Sequence, residues 1–176
     1  NMKYICLIYT SEADAMNMTE AEQGAEFAEY MAYGPIIEAA GPETYIAGGG
    51  LAKSALGAVY SNGALGLGPD MTARYRLDQP VSEVTLTQML DEQYFAHCEM
   101  IEREKLGAMV EVQRAWDASY AEAWLRAERE GGGRSILICG NAHARLDRGA
   151  PAYLLRARPD AKVASIGLLE DGDPAP

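Results

Sequence analysis

Residues 135–151, SILICGNAHARLDRGAP, constrain the fold more than any other segment. Ile136-Leu137-Ile138-Cys139 is a short, continuous apolar run of the kind that forms a strand buried on both faces. Gly140-Asn141 closes it with turn chemistry. His143 follows at once, with Arg145, Asp147 and Arg148 behind it. Pro151 then suits the first turn of a new helix, where its missing N–H costs nothing. A strand, a tight turn and a helix predict the first half of a βαβ unit, with a helix over 151–158 and a second strand over 162–169, parallel and right-handed. Ligands in open parallel sheets bind beyond the carboxyl ends of strands, where His143 would stand. The bland alternative is that His143 makes only local hydrogen bonds.

The rest of the chain is read around that unit. Residues 3–10 are apolar on both faces and predict a central strand. Thr19 and Glu22 form a capping box for a helix over 20–40, with Phe27, Tyr30 and Met31 on one face and Gly34-Pro35 as a kink. Gly48-Gly49-Gly50 predicts a loop or bulge. Residues 57–67 read as a hairpin turning at Asn62-Gly63, and 68–82 as the best boundary. From Glu83 to Glu130 the chain is helical, with Gly107 as the one interior breaker. Met109, Val110, Trp116, Tyr120 and Trp124 mark the buried stripe. Gln113 and Asp117, four apart, lie on or beside it and need partners there. The expected fold class is therefore α/β: an N-terminal β-α-β-β unit, a helical segment and the C-terminal parallel βαβ unit, in one compact mixed sheet. The segments are 1–78 and 79–176, which can pack as one domain.

Charge narrows the partners. The 176-residue chain has a formal net charge of −11, which argues against nucleic-acid binding, since phosphate contacts need Lys and Arg. Residues 134–162 run against this, with six positive side chains facing only Asp147 and Asp160. That is either a basic patch beside His143, suited to a small anionic ligand, or a solvated helix face. Cys6, Cys98 and Cys139 form no C-x-x-C pair and predict buried free thiols in a reducing compartment. No apolar run approaches the length of about eighteen residues that a membrane span needs. The N-terminus lacks the flanks of a secretory signal. As it stands the chain reads as cytoplasmic, or as exported if a signal was removed.

Two family resemblances follow from these residues. His97-Cys98, the helix residues Met109-Val110, Gln113 and Asp117, the run G-N-A-H-A-R-L-D-R-G-A-P from Gly140 to Pro151, and Val163–Glu170 together resemble the C-terminal part of the ChaN family of haem-binding, iron-regulated proteins. The likeness covers about residues 94–171, and Ala142 stands where the family has glycine. Met2–Tyr9 and Leu67-Gly68-Pro69-Asp70 are similar to a YCII-related, DGPF-type domain over about residues 2–70, although that motif's acid and phenylalanine are absent. The early G-E-x-H motif of the ChaN family is also absent, so the chain reads as two partial families joined near 70–95, as in a fusion, a truncated gene product or an artificial sequence.

The ChaN resemblance implies haem or iron, or another small anionic molecule, as the ligand. His143, Asn141, Arg145, Asp147, Gln113 and Asp117 are then the candidate binding residues. Tyr94, Tyr120 and Tyr153 are candidate haem ligands by location, because the family is linked to tyrosine ligation. Two other readings stay open. Gly140–His143 has the G-x-x-H form of a superfamily that includes metal-dependent hydrolases, in which His143 and His97, with Asp147, would hold the metal. Alternatively the chain is a structural α/β protein, a homodimer by expectation, with no retained chemistry.

Overall fold

The computed structural model describes residue 19 and residues 49–52, 54–131 and 135–166. The predicted first strand, the capped helix over 20–40 and the final part of the 162–169 strand lie outside these residues. What is described is helical: α1 (Leu56–Asn62), a 3-10 turn (Gly63–Leu67), α2 (Pro69–Tyr75), α3 (Glu83–Ala96), a 3-10 turn (Arg103–Lys105), α4 (Leu106–Gly131), α5 (Asn141–Ala144) and α6 (Ala150–Ala157). Among the described residues there is no strand and no sheet. The expected α/β mixed sheet is thereby overturned.

Each correction has a local cause. Asn62-Gly63 was expected to turn a hairpin, yet the same dipeptide serves equally well as a helix stop. Gly63 has φ 61° and caps α1, a left-handed position that glycine fills without strain. Leu56 and Val59 are three apart, which suits a helix, and Val59 is 1% exposed. Pro69, expected inside a linker, starts α2 at its first turn. Residues 135–140 and 161–166 carry no regular structure, because an apolar run becomes a strand only by pairing and no described residue pairs with it. The long helical region breaks ahead of Gly107, after Ala96, where Cys98 and Glu99 both adopt left-handed angles (φ 51° and 61°). Cys98 is exposed there, against the expectation of a buried thiol. The helix over 151–158 is present as α6, with Pro151 in its first turn.

The described residues group into two compact units. One contains Val81–Val110 and Ala123–Ile138. In it Ser82 caps α3, its Oγ accepting the Thr85 amide proton at 3.1 Å, and Arg103 pairs with Asp91 while lying 6.0 Å from the Tyr94 ring centroid.

The other unit holds Gly49–Pro80, Glu111–Glu122 and the residues from Cys139 onward. Here α1 packs against the following 3-10 turn and α2 against α6. Polar side chains on the middle of α4 tie these pieces together. Glu111 Oε2 accepts from the Ala64 amide at 3.2 Å. Arg114, 4% exposed, donates to the carbonyl oxygens of Leu77 and Gln79 at 2.9 and 2.7 Å and to Tyr153 Oη at 3.4 Å. Burial disfavours its charge, but the hydrogen bonds to Glu111 and Tyr153 hold its pKa above the ordinary value. Glu122 Oε2 accepts from Tyr75 Oη at 2.8 Å and from Arg74 at 2.5 Å. Arg156 on α6 donates to the Tyr75 carbonyl at 3.0 Å. Tyr75 and Tyr153 are among the largest fully buried side chains.

Gly149, just ahead of α6, has no room for a side chain: a Cβ there would lie 2.4 Å from the carbonyl oxygen of His143. Gly149→Ala should therefore destabilise the unit by about 1–3 kcal/mol, the usual cost of overpacking. Urea unfolding followed by circular dichroism measures it, and a loss under about 0.5 kcal/mol would show that the His143 turn can shift freely.

Candidate functional site

The single helical turn α5 presents His143. Gly140 precedes it in extended conformation, and its carbonyl accepts the His143 amide proton at 2.9 Å. The turn is clamped behind by Gly149, and Ser165 Oγ donates to the Ala144 carbonyl at 2.5 Å. The imidazole itself meets α4: His143 Nδ1 lies 2.7 Å from Asp117 Oδ1. His143 thus meets α4 at Asp117, and among the described residues no strand leads into its turn.

Asp117 is 0% exposed, whereas the His143 side chain is 24% exposed. Burial pushes the Asp117 carboxyl up to about 6, against the opposing pull of His143, the Ala150 amide and the Arg148 charge. Its second oxygen, Oδ2, is buried with no hydrogen bond among the described residues. An ionised carboxylate only accepts, so Nδ1 donates in this contact, and in the neutral ring Nε2 then carries the lone pair. No described residue takes Nε2. The Tyr120 ring meets the imidazole edge-on at 5.2 Å between centroids, and Trp116 lies 5.7 Å beyond Tyr120. Gly50, at φ 88°, passes so close to the indole that a Cβ there would lie 2.3 Å from Trp116. Cys139 lies nearby, its thiol pushed up to about 11 by burial and by the Asp117 charge.

The other sequence candidates divide. Arg145 and Arg148 do not form an open basic patch, because both bind Asp147, at 3.0 and 2.7 Å. Burial opposes ionisation of Asp147, yet the Arg145 hydrogen bond and the two arginine charges hold its carboxyl below the ordinary value. Arg158 approaches Asp160 at 3.9 Å. Asn141 opens α5 beside His143. Gln113 is buried one turn ahead of Asp117 on α4. Tyr153 is buried and its hydroxyl is taken by Arg114. Tyr94 and His97 belong to the other unit, where the His97 ring and amide both contact the Gln93 carbonyl at the end of α3. Among the described residues no three His, Cys, Asp or Glu side chains cluster as a metal site.

Sequence reasoning missed the roles of Arg114 and Glu122. Their signal was available, since charged residues at 111, 114, 117 and 122 interrupt the apolar face of α4. The expected stripe weights aromatics instead, and Trp116, Tyr120 and Trp124 are only half-buried while Ala115, Ala118 and Ala121 are 0% exposed.

The raised Asp117 pKa carries a stability consequence. A carboxyl whose folded-state pKa lies above its unfolded value favours the fold most below the unfolded pKa, and that contribution is lost as pH rises through about 6. Asp117→Asn keeps the acceptor oxygen without the charge. The stability of this variant relative to the parent should rise between pH 4 and pH 7, by an amount on the order of 1–3 kcal/mol. Urea unfolding at pH 4, 5, 6 and 7 measures it; a flat difference would show that folding does not shift the Asp117 pKa.

Comparison with known proteins adds the family. The family model described as haem-binding uptake, Tiki superfamily, ChaN matches residues 9–154, across the 70–95 region where a join between two families was expected. A YCII-related N-terminal domain is not shown. No curated protein matches the chain, and neither does any solved structure. No described helix is long and apolar enough to cross a membrane. With the family model covering most of the chain, and the run from Gly140 to Pro151 containing the His143 turn, the protein belongs to the ChaN family of haem-binding uptake proteins.

Proposed function

We propose that this member of a haem-binding family holds its ligand at the corner formed by His143, Asp117 and Tyr120. The supporting observation is the 2.7 Å contact between His143 Nδ1 and a fully buried carboxylate. Histidines that bind metals ordinarily give their other ring N–H to a carboxylate, which sets the tautomer and strengthens the donor nitrogen. The donor set fits an iron porphyrin: imidazole nitrogen is an ordinary haem-iron ligand. The neighbouring Tyr120 and Trp116 rings supply apolar surface of the kind a flat macrocycle buries. Haem contributes an iron centre that accepts one or two further donors. In this reading His143 donates, Asp117 orients it, and Tyr120 limits the rotation of the ring. Asn141, on the same turn, and the Arg145–Asp147 pair border the ligand. Gln113 supports Asp117 from one turn away on α4. Tyr153 is left out as a ligand because Arg114 already holds its hydroxyl. The YCII-like resemblance of residues 2–70 contributes nothing to this reading.

Titration of the purified protein with hemin, followed at the Soret band, tests it. A shifted band saturating at a fixed stoichiometry is expected for the parent. His143→Ala should weaken binding at least about tenfold, or about 1.4 kcal/mol; it should also lower the melting temperature of the ligand-free protein, because the buried Asp117 carboxyl loses its side-chain partner, so affinity is compared on folded protein below that temperature. Unchanged affinity in the variant would place the iron elsewhere.

A further inference from the structure

We propose that residues 49–52 form a strap over the Trp116 and Tyr120 rings, and that the ligand reaches those rings only when the strap lifts. This gate rests on the haem-binding reading above, in which the ligand buries the two rings, and is independent of which side chain meets the iron.

The aromatic shelf is covered by the chain itself. Trp116 and Tyr120 stand one turn apart on α4 with ring centroids 5.7 Å apart, and Tyr120 meets the His143 imidazole at 5.2 Å. Gly50, at φ 88°, crosses both rings. A Cβ there would overlap the six-membered ring of Trp116 and lie 3.3 Å from Tyr120 Cε1. A residue with a side chain cannot lie so close, and glycine takes that backbone angle without strain. The strap and both rings belong to the same compact unit. A flat macrocycle cannot occupy a ring face that backbone already covers, so the two must exchange.

The strap is lightly held. Among the described residues, Gly49, Gly50 and Leu51 take part in no backbone hydrogen bond. The first in the segment runs from the Ala55 amide to the Ala52 carbonyl at 2.8 Å. Leu51, 9% exposed, is the apolar anchor. Beyond Ala55 the chain is firmly seated, with Val59 of α1 1% exposed and the Ala64 amide held by Glu111. The hinge therefore lies at Ala52. A segment with few hydrogen bonds and one anchoring side chain opens at small free-energy cost. Glycine regains more conformational freedom on release than any other residue. Entry of the ligand is then limited by the fraction of time the strap stands open.

Two substitutions lift the strap by different routes. Gly50→Ala forces it off the rings, and Leu51→Ala removes its anchor. Both are made in a Trp124→Phe background, which leaves Trp116 as the one tryptophan of the original two. The first readout is acrylamide quenching of Trp116 fluorescence before hemin is added. Both substitutions should raise the quenching constant and shift the emission to the red. The second readout is stopped-flow association of hemin, followed at the Soret band. The parent rate should level off with rising hemin, at the rate of strap opening. The variants should associate at least about tenfold faster, the change expected when a state open about a tenth of the time or less becomes the main one. Thermal melts verify folding, and if Gly50→Ala fails to fold, Leu51→Ala alone decides. Unchanged quenching in the folded variants, or increased quenching with an unchanged association rate, overturns the gate and leaves haem binding intact. Failure of the parent to bind hemin overturns the functional reading, and the gate with it.

Discussion

Four charged side chains on one stretch of helix hold together the unit that carries the site. Glu111, Arg114, Asp117 and Glu122 of α4 reach the 3-10 turn at Ala64, the segment from Leu77 to Gln79, the His143 turn, and α2 at Arg74 and Tyr75. Apolar burial supplies most of the free energy of any fold, but it is non-directional. Directional contacts decide which surface meets which. Small residues make room for them: Ala115, Ala118 and Ala121 are fully buried on the same helix. Each polar contact contributes a modest net amount when made and costs several times more when one partner is removed. The ladder therefore specifies an arrangement more than it stabilises one.

Asp117 departs from the other three. Arg114 is satisfied on several sides, and Glu122 accepts from two donors. Asp117 instead has one oxygen on the His143 imidazole and the other buried with no hydrogen bond among the described residues. A fold selected for stability alone has little reason to retain a carboxylate there. Residues that lower stability and persist in a structure are most economically explained by what they hold in place. Here that is one ring nitrogen of His143.

The sequence made some of this legible and hid the rest for identifiable reasons. The turn at Gly140-Asn141, the helix opened by Pro151 and the end of the long helix near Gly131 could be read because each depends on local chemistry. That Gln113 and Asp117 need partners could be read because buried polar groups require them. The strands could not be verified the same way: whether 135–139 pairs depends on distant chain, and a short apolar run looks the same whether it pairs or not. Asn62-Gly63 shows a second kind of ambiguity, since left-handed backbone serves a hairpin and a helix terminus alike. The α4 ladder escaped notice because hydropathy weights side chains by size, while the residues that fit closest against α4 are alanines.

The packing around His143 bears on affinity as well as on chemistry. A loop histidine in solution samples several rotamers and two tautomers, and binding through it must first remove that freedom. In this unit three independent constraints remove it in advance. Asp117 takes the Nδ1 side, Gly149 blocks the backbone from below, and Tyr120 stands against the ring. The cost was met during folding, by the burial of a carboxylate and by a glycine whose position leaves no room for a side chain. Such a division, with the constraint placed in the scaffold, is what holds a single side chain on a four-residue helical turn in one orientation.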